Sequence, residues 1–123
     1  MAKSYETLDA WKEAVELAVA IYDITAAFPK SETFGMTSQI RRSAISVSSN
    51  IAEGCGRRSL KERKQFFGIA LGSLNETESL LIVANRLRFI NDRQFELIKV
   101  IAEKEGRLLG GLLKHVSRLQ KEE

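Results

Sequence analysis

The sequence has one cysteine, Cys55, one histidine, His115, and one proline, Pro29. A lone cysteine excludes a disulfide inside the chain. One Cys and one His cannot supply a Cys/His zinc site. The di-iron or di-manganese centre of helical bundles needs two Glu-x-x-His pairs, and the residue three before His115 is Leu112. With eight glycines and one proline, the chain is too poor in turn residues for a sandwich or barrel of many short strands. Its longest wholly apolar runs, Leu17–Tyr22 and Leu80–Ala84, fall far short of the roughly 20 residues that span a bilayer. Lys3, Glu6 and Asp9 interrupt the segment where a signal-peptide core would stand. No phosphate-binding Gly-Lys loop and no dinucleotide fingerprint occur. The expectation is a cytoplasmic protein that stays out of membranes and uses no metal, no cofactor and no catalytic residue.

Apolar residues make up 44% of 123, enough for one core and one domain, residues 1–123. They recur at helical spacing in four stretches, predicted at about 8–28, 37–53, 59–87 and 91–119. The first carries two interleaved sets. One is Leu8, Trp11, Val15, Ala18, Tyr22 and Thr25; the other is Ala10, Ala14, Leu17, Ile21, Ile24 and Phe28. Together they make a stripe wider than one neighbouring helix covers. Pro29 ends this helix. The second has an apolar line of Ile40, Ala44, Val47 and Ile51, and Gly54 and Gly56 are expected to stop it, one of them as a left-handed cap. Ser59 with Glu62 reads as a capping box opening the third helix, whose line is Phe66, Ala70, Leu74, Thr77, Leu81 and Ala84. Gly68 and Gly72, costly inside a helix, suggest close approach by another backbone. Asn91 with Gln94 opens the fourth, where Glu105 interrupts the line Phe95, Ile98, Ala102, Leu109, Leu112, Val116 and Leu119. The tail Gln120–Glu123 is expected to fray. Four helices on short links give an all-α, antiparallel up-and-down four-helix bundle.

Two patterns point beyond the core. Gln39, Arg42, Ser46, Asn50 and Glu53 share one face of the second helix. Glu53 lies in the last turn, where the helix dipole disfavours a carboxylate unless a donor answers it. Arg57, Arg58 or an arginine of another subunit could do so. The face reads as a buried or interfacial polar network that Glu76 could join; a solvated face and an active site are the alternatives. Residues 57–64 then bring Arg57, Arg58, Lys61, Arg63 and Lys64 together against one Glu62. Cations at a helix start oppose the dipole, and a phosphate-rich partner would offset this. No aromatic residue lies among them, so contact with a nucleic-acid backbone is expected rather than base stacking. Cys55 has no histidine near it in sequence, and a nucleophilic pair with His115 would require the fold to join them.

Several pieces together resemble a known family. They are Leu8-Asp9-Ala10-Trp11; Phe28-Pro29-Lys30-Ser31-Glu32-Thr33-Phe34-Gly35-Met36; Gln39-Ile40-Arg41-Arg42-Ser43-Ala44; Ser49-Asn50-Ile51-Ala52-Glu53-Gly54; and Phe66 through Glu76. The chain resembles the four-helix bundle proteins called the 23S rRNA-intervening-sequence protein family, and is similar to the accessory protein of diversity-generating retroelements. The resemblance implies a ring, usually a homopentamer, that binds nucleic acid and can dock a reverse transcriptase; it brings no catalytic residues. The resulting expectation is a non-enzymatic ring of copies that binds RNA or DNA through Arg57, Arg58, Lys61, Arg63 and Lys64, with Arg41 and Arg42. A scaffold that docks a protein partner is the alternative.

Overall fold

The computed structural model describes residues 4–123; Met1, Ala2 and Lys3 lie outside the described residues. Four helices follow a short 3₁₀ turn at Ser4–Thr7: α1 (Asp9–Thr25), α2 (Met36–Cys55), α3 (Leu60–Arg86) and α4 (Asp92–Glu122). Among the described residues there is no strand. Helix α1 packs against α2 and α4, α2 against α3, and α3 against α4, which closes the four-helix bundle expected from the sequence.

Of the two apolar sets on α1, the one built on Ala10, Ala14, Leu17 and Ile21 enters the core, with Thr25. The helix stops at Thr25, three residues short of the expected end. Phe28 is nevertheless buried, its ring 5.4 Å from that of Phe89 in the α3–α4 link. A second 3₁₀ turn, Lys30–Glu32, fills the α1–α2 link, and Glu32 Oε1 accepts from the Met36 amide at 3.3 Å where α2 begins.

Helix α2 runs through Gly54 to Cys55, and neither Gly54 nor Gly56 adopts a left-handed cap. Gly54 serves packing instead. A Cβ placed there would stand 2.7 Å from the Phe67 ring of α3, so only glycine lets the two helices close. The same contact explains why Phe67, not Phe66, is the buried aromatic of α3. The Ser59 hydroxyl accepts from the Glu62 amide at 3.1 Å, and Asn91 with Gln94 forms the full reciprocal box at the start of α4. That helix remains regular to Glu122, so the expected fraying of 120–123 is confined to the last residue. Taken alone, α3 is long and apolar enough to cross a membrane. Its apolar line Phe67, Ala70, Leu74, Leu81 and Ala84 is consumed by the bundle core.

Hydroxyls bridge α2 and α3 in two layers. Ser43 Oγ lies 2.8 Å from Thr77 Oγ1 inside the core. Nearer the surface, Ser73 Oγ donates to Ser46 Oγ, also at 2.8 Å.

Candidate nucleic-acid interface

The seven cations expected at the interface divide by their surroundings. Arg41 is a strut between α2 and α1: its Nε donates to Thr25 Oγ1 at 2.7 Å and its guanidinium lies 4.5 Å above the Tyr22 ring. Arg57 answers Glu53, with Nη2 2.5 Å from Oε1, and covers the Phe66 ring at 4.7 Å. Arg63 turns inward and donates from Nε to the Arg57 carbonyl at 2.8 Å. These three are engaged in contacts within the protomer. Arg42, Arg58, Lys61 and Lys64 are exposed, and among the described residues no carboxylate forms an ion pair with them.

The polar face of α2 is likewise not one network. Gln39, Arg42 and Glu53 are exposed, whereas Ser46 and Asn50 are half-buried. Asn50 Nδ2 donates to the Ser46 carbonyl and hydroxyl at 2.8 and 2.9 Å, and Ser73 joins them from α3. Gln39 reaches Glu76 at 3.4 Å. Glu53 pairs with Arg57 alone, as the dipole argument required.

Between α2 and α3 these groups line an open groove of about 570 Å³, walled by Ser38, Gln39, Arg42, Ser46, Ser73 and Glu76. Phe34, from the α1–α2 link, stands at its rim with 97% of its surface exposed. Phe34 and Ser73 were not expected at this site. The α1–α2 link curls over the start of α2, so an aromatic eight residues before Arg42 comes to share its groove. Gly68 and Gly72 lie on the outer side of α3, and a Cβ at either would meet nothing within 4 Å. Among the described residues no backbone makes the close approach that their spacing suggested.

A second, more apolar pocket of about 260 Å³ lies where the end of α2, the start of α3 and the end of α4 meet. Cys55, Arg63 and His115 all line it, with Leu60, Phe67 and Val116 among its apolar walls. Burial raises the Cys55 thiol above its ordinary pKa and outweighs the opposing charge of Arg63. A thiol held protonated is a poor nucleophile. His115 Nδ1 accepts from Arg118 Nη2 at 3.0 Å rather than engaging the sulfur. The described residues contain no cluster of His, Cys, Asp or Glu able to hold a metal.

The family model for the 23S rRNA-intervening sequence protein matches residues 6–111. The chain belongs to that family. A solved structure from Bacteroides thetaiotaomicron, described as a protein of unknown function from the S23 ribosomal protein family, has the same fold with a TM-score of 0.77. It is 30% identical, and the match covers 85% of the present chain and 98% of the other. No curated protein matches the chain. The family match spans α1, α2, α3 and most of α4, so the α2–α3 groove lies wholly within the shared fold.

Proposed function

We propose that this family member is a non-enzymatic protein whose copies assemble, in a ring of about five, and bind the backbone of RNA or DNA. The observation that carries the reading is a set of four exposed cations with no ion-pair partner among the described residues: Arg42 in the α2–α3 groove, and Arg58, Lys61 and Lys64 around the start of α3. Lys61 and Lys64 occupy the first turns of α3, where cations are disfavoured by the dipole and where a phosphate would be welcomed by both charge and free amides. At 1.5 Å per helical residue, Lys61 and Glu76 are about 22 Å apart along α3, room for several nucleotides of one strand.

Assembly is supported by what the protomer leaves uncovered. Val19, Ile69, Ile82, Leu97 and Val100 are large apolar side chains with about half or more of their surface exposed. A ring would cover such residues repeatedly and concentrate positive charge, since a net +3 per copy becomes about +15 in five. The same exposed residues favour a second reading, a scaffold docking a protein partner such as a reverse transcriptase.

Gel shifts with mixed-sequence single and double strands at two salt concentrations separate the two. Backbone binding weakens steeply as salt rises. Binding that persists unchanged after Arg58, Lys61 and Lys64 are replaced by glutamate overturns the site. Light scattering that finds a 13.8 kDa particle at micromolar concentration overturns the assembly.

A further inference from the structure

The groove between α2 and α3 combines an aromatic face, a carboxylate and an unpaired guanidinium, a combination that backbone binding does not require. Among the described residues Phe34 is the most exposed large apolar side chain, and it stands at the edge of a polar groove rather than in an apolar patch. Glu76 is exposed within the same groove. Its Oε2 receives only a long hydrogen bond from Gln39, 3.4 Å against the usual 2.7–3.2 Å, and no bond to its Oε1 is present among the described residues. Arg42 lines the opposite, α2 wall and has no ionic partner among the described residues. A volume of about 570 Å³ lies within the range of small-molecule sites. We propose that this groove takes one unpaired guanine of a single strand, stacked on Phe34, read by Glu76 and held at its phosphate by Arg42.

The choice of base follows from the carboxylate. Guanine presents two adjacent donors on its pairing edge, N1–H and the N2 amino group, and a carboxylate presents two adjacent acceptors. Adenine and cytosine each set a ring-nitrogen lone pair beside their amino donor, which a carboxylate repels. Uracil sets its one N–H between two carbonyl oxygens. Unpaired bases are recognised in this way, through an aromatic face and hydrogen bonds to the pairing edge. Arg42 keeps the phosphate away from Glu76, so the two opposite charges in one groove serve two parts of one nucleotide. Ser46 and Ser73, bonded to each other, line the groove as a pre-set floor, and Asn50 holds the Ser46 hydroxyl from outside the lining.

The inference rests on the nucleic-acid reading above, and one experiment separates the two. Fluorescence anisotropy of the full-length protein is measured with labelled oligouridine octamers carrying a central guanine, inosine, adenine or uracil. The guanine octamer is expected to bind about tenfold more tightly than the adenine or uracil one. Inosine, which lacks the N2 amino group, should fall between. Glu76→Gln should erase the guanine preference and leave affinity for oligouridine intact. Phe34→Ala should weaken the guanine octamer about tenfold or more, and Phe34→Tyr should restore it. Both side chains are exposed, and matching thermal melts establish that the variants fold. Equal affinity for all four octamers, or a guanine preference that survives Glu76→Gln, overturns the pocket while leaving backbone binding in place. Failure of every octamer and of mixed-sequence strands to bind at low salt overturns both.

Discussion

Glu105 on α4 is held in the core within the field of Glu13 on α1, and among the described residues neither of its carboxyl oxygens has a hydrogen-bond partner. Glu13 also pairs with Lys104 at 3.0 Å, one residue away from Glu105 along α4. Burial chiefly, and the Glu13 carboxylate secondarily, push the Glu105 pKa from 4.5 to about 8. The acid is therefore neutral in the folded protein at pH 7 and ionised in the unfolded chain. Stability is fully present below about pH 4.5 and is lost as pH rises toward 8. At 1.36 kcal/mol per pH unit the loss is about 3 kcal/mol by pH 7 and about 5 kcal/mol above pH 8. Melting curves from pH 5 to 9 should show this decline. Glu105→Leu should flatten it and raise the melting temperature at pH 8; a wild-type slope in that variant would contradict the buried neutral acid.

Glycines 54, 68 and 72 should respond in opposite ways to alanine. At Gly54 the new methyl meets the Phe67 ring at 2.7 and 2.9 Å and Phe66 Cβ at 3.1 Å, so α2 and α3 must separate. A loss of about 1–3 kcal/mol is expected in denaturant titration. At Gly68 and Gly72 the methyl enters open space, and each change should stabilise the isolated fold by up to about 1 kcal/mol. If a partner lies against that bare stretch of α3, Gly68→Ala and Gly72→Ala should weaken assembly or binding while the melting temperature rises.

The cations should separate into structural and binding sets. Arg41→Ala removes the Thr25 bond and the cover over Tyr22, and should cost about 1–2 kcal/mol of stability. Lys61→Glu or Lys64→Glu should leave the melting temperature within a degree or two and strongly weaken nucleic-acid binding. Glu53→Gln should cost less than about 1 kcal/mol, because its pair with Arg57 is half in solvent.

Ser43 and Thr77 form a buried pair that can be tested by a double-mutant cycle. Ser43→Ala alone takes from Thr77 its cross-helix neighbour and should cost about 1–2 kcal/mol. Thr77→Val alone should cost a similar amount. The double variant should cost less than the sum of the two, and simple additivity would mean that the hydroxyls do not interact.

The bundle was legible in the sequence because apolar periodicity marks four helices and Ser59 and Asn91 cap the last two; Pro29 bounds α1 only loosely, since the helix ends at Thr25. Chain ends and glycines were harder to read. Gly54 looks like a helix stop in sequence, and only the partner helix reveals that the missing side chain makes room for Phe67. Phe66 and Phe67 are adjacent, and periodicity alone does not decide which one faces inward. Glu105 reads as a break in an apolar line, yet it keeps the line's register and is buried. The groove was half visible. Its α2 side was apparent as a polar face, but Phe34 belongs to a link whose path no periodicity describes. The loss of Arg41, Arg57 and Arg63 to structural bonds depends on neighbours that charge counting does not contain.

The two hydroxyl bridges joining α2 to α3 act as rungs. Sliding one helix past the other by a single turn would strand Ser43 and Thr77 without each other and part Ser46 from Ser73. Both walls of the groove therefore move as one piece. The backbone positions that carry Arg42 and Glu76 on opposite walls keep their register, while the two exposed side chains are left to swing toward whatever enters.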